Sequence, residues 1–430
     1  MFANIPETNQ KRIVIVGAGF GGLVLAQKLC KRDVQVVLID KNNYHQFQPL
    51  CYQVAMAGLE PSSIAFPLRK VFHGKKNIHV RITKVNSVNT KIKQLTTDIG
   101  VVNYDFLVLA MGADTNYFGQ QNIMKNALPM KSISEAIALR NTVLQNFENA
   151  LSESDHQEKE GMMSVVVVGG GPTGVEISGS LAEMRNVILP KDYPEIDFAD
   201  MKVYLFQSSN DLLPSMSDQA SQKSEDYLKN LGVEVRLGER IIDFDGKYAL
   251  TSKDEKIRTN NLVWAAGVKS NKIEGIAPES FEKNGRLTVN EINQVTGYED
   301  IFAIGDLAQM TSSKLPYGHP MIAQPAIQQG VLLANNLYQI IKGEKIKLFS
   351  YVDLGSMATV GRHLAVVDLP FWRFQGTFAW YVWMMVHLLS ILGIKNKLLI
   401  FINWVWNYIT YDQSLRLIIK PKVTGSKSNT

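Results

Sequence analysis

The chain has 430 residues, 46% apolar and 20% charged, with a formal net charge of +5. That composition describes a folded globular protein of about three domain-sized units and excludes the disordered and fibrous classes. So mild a surplus argues against a nucleic-acid partner. Two cysteines, Cys30 and Cys51, exclude a disulfide scaffold and a four-cysteine zinc site, and no resident metal is expected.

Residues 1–12 hold no apolar stretch of the kind a secretory leader needs. Residues 13–16 then read as a buried parallel strand, Gly17-Ala18-Gly19-Phe20-Gly21-Gly22 as a glycine turn, and residues 23–29 as an amphipathic helix. A second strand, 34–39, ends at Asp40, which lies 18 residues past Gly22. A pyrophosphate must approach the backbone closely. Glycines permit that approach, and a helix N-terminus supplies amide donors and a positive dipole end. A carboxylate at the end of the second strand accepts hydrogen bonds from a ribose diol. Gly17, Gly19, Gly21, Gly22 and Asp40, with Lys41 beside it, are therefore candidate dinucleotide-binding residues.

Residues 78–102 read as hairpin-like strands, 104–112 as a strand ending in Ala110-Met111-Gly112, and the polar stretch 152–161 as a linker. The opening pattern then returns. Residues 165–168 lead into Gly169-Gly170-Gly171-Pro172-Thr173-Gly174 and a helix over 175–184, and the key glycines of the two turns differ by 152 in every case. The next strand, 202–206, is followed by Gln207. An acid there would bond an adenosine 2'-hydroxyl and repel a 2'-phosphate, so an amide weakens the rejection of NADPH. Glu176, in the first turn of the helix, has two readings. One is a carboxylate on the helix dipole, worth a few tenths of a kcal/mol; the other is a carboxylate beside a nicotinamide. Spacing does not choose between them. Residues 254–261 read as a polar turn, and 262–267 as a strand ending in Ala265-Ala266-Gly267. Residues 300–306 close on Gly305-Asp306, an acid suited to the ribityl chain of a flavin. Cys30 reads as a core residue at a packing position of the first helix, and Cys51 as buried and inert.

From Tyr351 the composition changes. Five of the six Trp fall within 35 residues, and 12 of 39 aromatic residues lie in 371–411. A helix over 378–394 would span roughly 26 Å, short of the ~30 Å hydrocarbon core of a bilayer. In and around the next apolar run, 398–411, Asn396, Asn403, Asn407, Thr410 and Ser414 form one stripe opposite a broad apolar face. That pattern predicts a helix lying in a membrane interface rather than crossing it. Residues 371–430 carry seven basic side chains (373, 395, 397, 416, 420, 422 and 427) against one acid, Asp412, so the tail is +6 and the remaining 370 residues sum to −1. A basic, aromatic tail gains on the order of 1 kcal/mol per basic residue from anionic headgroups.

Paired glycine turns, two Ala-x-Gly strand ends and the Gly-Asp motif resemble the two-dinucleotide-binding-domain flavoproteins, over residues 11 to about 338. The disulfide reductases of that fold carry a redox cysteine pair after the first unit. Only Cys51 stands in that region here, and no cysteine follows it, as sulfide:quinone reductases would require. Residues 47–59, residues 169–176 and Ala323-Gln324-Pro325-Ala326-Ile327-Gln328 are instead similar to the type II NADH:quinone dehydrogenases.

The resemblance implies an α/β fold of two Rossmann-like domains with a C-terminal amphipathic-helical region that anchors to membrane. Residues 1–150 and 291–345 would bind FAD, the latter with the quinone-site helix; 160–290 would bind NAD(P)H; 346–430 would meet the membrane. It implies non-pumping oxidation of NADH with reduction of a membrane quinone. FAD would be held by Gly17 to Gly22, Asp40, Lys41, Ala110, Gly112 and Asp306. NADH, with NADPH admitted, would be held by Gly169, Gly171, Gly174, Glu176, Gln207, Ala266 and Gly267. Gln324 and Gln328, four apart on one helix face, would orient the quinone beside the flavin, with Glu176 where nicotinamide, flavin and quinone meet. It further implies a homodimer on the cytoplasmic face of a bacterial inner membrane, held by lipids along 371–430. The competing readings are a same-fold NAD(P)H reductase with a soluble acceptor and an NADPH-accepting quinone reductase.

Overall fold

The computed structural model describes residues 2–313, 315–410 and 415–419. The tail residues Tyr411, Asp412, Ser414, Lys420, Lys422 and Lys427 lie outside the described residues. The chain divides into two compact units. Unit 1 comprises Met1–Gln46, Ala65–Asp114 and Val268–Leu354; unit 2 comprises Phe47–Ile64, Thr115–Gly267 and Gly355–Thr430.

Unit 1 is built on a five-stranded sheet ordered Ile301–Ala303, Phe106–Leu109, Arg12–Val16, Gln35–Asp40, Ile78–Ile82. All four pairings are parallel, with Val14 level with Val37 on one side and Leu107 on the other. Strands this apolar are stable only when covered on both faces. Val14, Val16, Val37, Ile39, Leu107 and Leu109 are buried in one cluster, each contributing about 1.5–3 kcal/mol of burial free energy. The expected hairpin region resolves differently. Ile78–Ile82 is a parallel edge strand, and only Val85–Asn89, Gln94–Thr97 and Gly100–Asn103 form an antiparallel meander. The helices Phe20–Leu29 and Ala323–Lys342 cross at glycine: a Cβ at Gly21 would lie 2.9 Å from the Ala326 carbonyl oxygen, and one at Gly330 2.5 Å from that of Gly21.

Unit 2 repeats the plan. Its parallel sheet runs Leu128–Pro129, Asn261–Trp264, Val165–Val168, Val203–Gln207, Glu234–Leu237. Val166, Val168, Tyr204, Phe206, Leu262 and Trp264 share its core. The region read as a linker is partly helical, because Asp155 caps the helix His156–Met163 by accepting from the Glu158 amide at 3.0 Å. The region read as a polar turn holds the short antiparallel strand Lys256–Arg258. The glycine-turn helix starts earlier than expected, spanning Pro172–Glu183 with proline in its first turn. Unit 2 ends in an antiparallel meander, Ser356–Gly361, Leu364–Asp368 and Arg373–Gln375, then the helices Thr377–Ser390 and Ile394–Thr410. The break between these helices falls at Gly393, in the left-handed region (φ +78°). Among the described residues no helix is long and apolar enough to cross a membrane.

Candidate active site

In the first glycine turn, Gly17 takes a φ of +104° and its amide donates to the Ile39 carbonyl at 2.8 Å. A Cβ on Gly17 would lie 2.3 Å from the Ala110 carbonyl oxygen, and one on Gly22 1.9 Å from that of Gly17. A Cβ on Gly19 would meet nothing within 4 Å. Two glycines thus pack the turn, and the middle one leaves an open cradle over the helix N-terminus, the shape and polarity a pyrophosphate needs. Asp40 closes the cradle: its carboxylate accepts from the Ala18 amide and the Asn42 amide, each at 2.7 Å. Burial pushes the Asp40 pKa up, and those two amides and Lys41 pull against it. Lys41 itself is exposed.

His45, which motif spacing did not single out, bonds the Ala18 carbonyl through Nδ1 at 2.9 Å and meets the Phe20 ring edge-on. Burial lowers its pKa, so the neutral ring braces the turn. Gly112, after Ala110, has φ +63° and open space at its Cβ position. Asp306 sits half-buried in the turn Gly305–Leu307, where the Gly305 amide donates to Gln329 Oε1 at 2.7 Å. The buried Arg286 interacts electrostatically with Asp306. Gln329 and Arg286 gave no motif signal.

Gln324 and Gln328 share a half-buried helix face, but their amides differ. Gln328 is clamped to Val352 from both ends, Nε2 donating to its carbonyl at 2.8 Å and Oε1 accepting from its amide at 3.0 Å. Gln324 makes no such clamp.

The second turn copies the first. Gly169 has φ +113° and donates to the Phe206 carbonyl at 2.8 Å. Added Cβ atoms at Gly169 and Gly174 would lie 2.5 Å from the Ala265 oxygen and 1.8 Å from the Gly169 oxygen, while one at Gly171 would meet nothing within 4 Å. Gln207 takes the place of Asp40: its Oε1 accepts from the Gly170 amide at 2.9 Å and its Nε2 donates to Ser209 Oγ at 2.6 Å. Ala266 and Gly267 are half-buried beyond the Trp264 strand, Gly267 with φ +151°.

Glu176 lies on the inward side of its helix, only 7% exposed. Burial pushes its pKa well up, although the Thr359 backbone amide donates to its carboxyl. Helix and meander meet here because Gly179 lets them touch: a Cβ on it would lie 2.2 Å from the Val360 oxygen.

Unit 2 also holds a cavity of about 160 Å³ that sequence reading did not anticipate. Tyr52, Glu183, Thr359, Arg362, Trp383 and Trp404 are among the residues lining it. A hydrogen-bonded row edges it. Trp404 Nε1 donates to Gln53 Oε1 at 2.8 Å, Gln53 Nε2 donates to the Tyr52 hydroxyl at 3.0 Å, and that hydroxyl bonds Thr359 Oγ1 at 3.0 Å. Cys51, beside this row, is buried and its thiol is pushed up to about 12 by burial, which keeps it a thiol. Cys30 is half-buried rather than core, its thiol donating to the Gln27 carbonyl at 2.9 Å.

The polar stripe of the last helix faces the protein. Asn396 donates to the carbonyls of Ser62 and Ser63 at 3.0 and 3.1 Å, and Asn407 to that of Gly58 at 3.3 Å. Leu398, Phe401, Ile402, Trp406 and Ile409 point outward, Leu398 56% and Ile409 71% exposed. With Phe378, Met385 and Leu389 of the preceding helix they leave an apolar surface of a kind that marks an interaction site.

Residues 11–330 match the family of pyridine nucleotide-disulphide oxidoreductases, and residues 354–410 match the NDH2 C-terminal domain. A type II NADH:quinone oxidoreductase of Mycobacterium tuberculosis is 34% identical over 415 residues, covering 93% of this chain and 88% of its own. A type II NADH:quinone oxidoreductase of Staphylococcus saprophyticus is 29% identical over 364 residues, covering 83% of this chain and 89% of its own. The solved structure of NDH2 from Plasmodium falciparum in complex with NADH superposes with a TM-score of 0.87 at 23% identity, covering 96% of this chain and all of that one.

Proposed function

Since the chain belongs to the type II NADH:quinone oxidoreductase family, within the pyridine nucleotide-disulphide oxidoreductases, we propose that it is an FAD-dependent, non-proton-pumping enzyme that oxidises NADH and reduces a membrane quinone. The observation that carries this reading is the pair of matched cradles, each with an open middle glycine over a helix N-terminus. One suits the pyrophosphate of FAD and the other that of the nicotinamide nucleotide. Gly17 to Gly22, Asp40 and Asp306 would hold FAD in unit 1, and the flavin would supply the two-electron redox chemistry between NADH and quinone.

The chain's residues bind and orient. Gly17, Gly19 and Gly22 shape the first cradle. Asp40 accepts from the adenosine ribose, and Asp306, with Arg286 nearby, from the ribityl chain. Ala110 and Gly112 give close backbone approach, and Lys41 adds positive charge at the rim. Gly169, Gly171 and Gly174 cradle the second pyrophosphate, with Gln207 at its ribose and Ala266 and Gly267 along the nucleotide. Glu176, whose pKa burial pushes up, stands where nicotinamide, flavin and quinone meet. Gln324 presents its amide to the quinone, and Gln328 pins the helix to Val352.

The outward apolar face of the last two helices supports peripheral attachment to lipid, and family resemblance supports a homodimer on the cytoplasmic face of a bacterial inner membrane. The absence, among described residues, of a helix able to cross a bilayer supports a reaction without proton pumping. The amide at Gln207 favours a second reading, in which NADPH is also accepted.

The test is anaerobic stopped-flow. NADH should bleach the flavin absorbance, and adding quinone should restore it; a flavin that stays oxidised with NADH overturns the reading. Ile409→Lys with Trp406→Asp should weaken sedimentation with anionic vesicles and leave flavin bleaching intact. Unchanged sedimentation would reject the membrane face.

A further inference from the structure

A flavin laid over unit 1 would cover Asp306 and take its carboxyl further out of water. Burial favours the protonated acid. A protonated carboxyl turns part of its accepting capacity into a donor, which weakens its hold on sugar hydroxyls. An acid that is to hold a ribityl chain therefore needs a cation on its protein side.

Resting on the FAD reading above, we propose that Arg286 is a positioning residue of the flavin site: its buried guanidinium holds the Asp306 carboxylate ionised, as an acceptor for the ribityl hydroxyls. Both residues belong to unit 1. Arg286 immediately precedes the strand Leu287–Thr288, which pairs in parallel with Ala308–Gln309, Leu287 level with Ala308. That register carries Arg286 back to the level of the turn Gly305–Leu307, in which Asp306 sits.

The guanidinium is anchored on this turn. Its Nη2 donates to the Ala308 carbonyl, two residues past Asp306. The Arg286 amide donates to Asn284 Oδ1 at 3.0 Å, and Asn284 Nδ2 donates to Gln309 Oε1 at 2.6 Å, which ties the two strands together from the side. Gly318 closes over the outer nitrogen: a Cβ there would lie 3.5 Å from Nη1. On the other side of Asp306 the turn is held by Gln329, which accepts from the Gly305 amide. The acid is thus gripped between two side chains, and only one of them carries charge.

The charge on Arg286 is not there for packing. The residue is 6% exposed, and its Nε is buried with no hydrogen-bond partner among the described residues. A methionine or leucine would fill similar space without taking a charge out of water. Burial lowers the Arg286 pKa, and attraction to Asp306 opposes that. The neighbouring groups leave this attraction to Asp306. Glu282 is turned to the Thr288 hydroxyl, 3.1 Å from its Oε1. His319 is buried edge-on to Phe349 and Tyr351, with ring centroids 5.2 and 5.3 Å away. Burial and then Arg286 lower its pKa, so it stays neutral and adds no second cation.

The test is a double-mutant cycle on purified holoenzyme, reading FAD release as free-flavin fluorescence after dilution. Arg286→Gln and Asp306→Asn should each speed release about tenfold. The two together should release no faster than Asp306→Asn alone, because one residue acts through the other. Arg286→Lys keeps a charge without the fork and should stay within about threefold of the wild type. Wild-type release from Arg286→Gln would overturn the proposal. An acceleration of about a hundredfold in the double variant, the product of independent effects, would overturn it as well. Release from Arg286→Lys as fast as from Arg286→Gln would show that shape and not charge matters, and would reject it too. Should Arg286→Gln fail to fold, Arg286→Lys carries the cycle: its smaller acceleration should vanish in the Asp306→Asn background, and its persistence there overturns the proposal. A wild-type protein that purifies without flavin and takes up none would bring down the FAD reading, and this one with it.

Discussion

In unit 1 the amide after the first loop glycine, Ala18, donates to the Asp40 carboxylate; in unit 2 the matching amide, Gly170, donates to the Gln207 carboxamide. The backbone around them is alike. Gly17 and Gly169 bond their neighbouring strands at 2.8 Å, and Ala110 and Ala265 bond Val16 and Val168 at 2.8 Å. The cradle is therefore set by glycine sterics, and on the proposed function the residue that closes it would decide which ribose is welcome. A carboxylate can hold the loop amide and still accept from a diol, while repelling a phosphate. The carboxamide has its oxygen taken by Gly170 and turns a donor toward Ser209, so it no longer repels a 2'-phosphate.

The largest effects come from filling each cradle's packed corner. Gly22→Ala sets a Cβ 1.9 Å from the Gly17 oxygen, and the protein should purify without flavin colour. Gly174→Ala makes the matching 1.8 Å overlap. It should keep the colour and slow bleaching by NADH about 10²-fold, as overpacking by 1–3 kcal/mol allows. If each variant loses the other's ligand, the assignment of the two cradles is reversed. Next, Asp40→Asn removes charge-assisted bonds worth about 1.5–3 kcal/mol, so FAD should dissociate more readily by at least about tenfold, measured by cofactor release from the holoenzyme. Smaller again, Gln207→Glu makes the second cradle like the first and should raise the preference for NADH over NADPH in kcat/KM about tenfold, or 1.4 kcal/mol. Unchanged selectivity would show that Gln207 does not read the ribose. The smallest concerns Cys51, which lies outside both cradles. Cys51→Ala should leave turnover within about twofold while costing roughly 1 kcal/mol of stability, and the native thiol should resist iodoacetamide at neutral pH.

The cradles were legible because what they require is local. A positive φ and a Cβ-free contact at Gly17, Gly22, Gly169 and Gly174 force the residue type within a few positions. The helix His156–Met163 was hidden because one Asx cap at Asp155 outweighed a polar composition. The cavity was hidden for a different reason. Tyr52, Glu183, Thr359 and Trp404 come from four separate stretches, and no spacing rule connects them. Gln328 was legible as a face-sharing partner of Gln324, yet only the fold shows its amide clamped to Val352. The stripe of Asn396, Asn403 and Asn407 was legible as a stripe. Periodicity says which residues share a face, but the direction of that face depends on the acceptors at Ser62, Ser63 and Gly58, more than 300 residues away in sequence.

That last helix also changes what a stability measurement on this protein means. Asn396 and Asn407 are tied inward, and Leu398, Ile402, Trp406 and Ile409 look out. Any preparation in plain buffer leaves this greasy flank to meet another copy, and any preparation in detergent covers it. An amphiphile that binds the folded chain and not the unfolded one raises the melting temperature by mass action. The thermal midpoint is thus a property of protein and amphiphile together, and two laboratories using different detergents will report two different stabilities for one and the same fold.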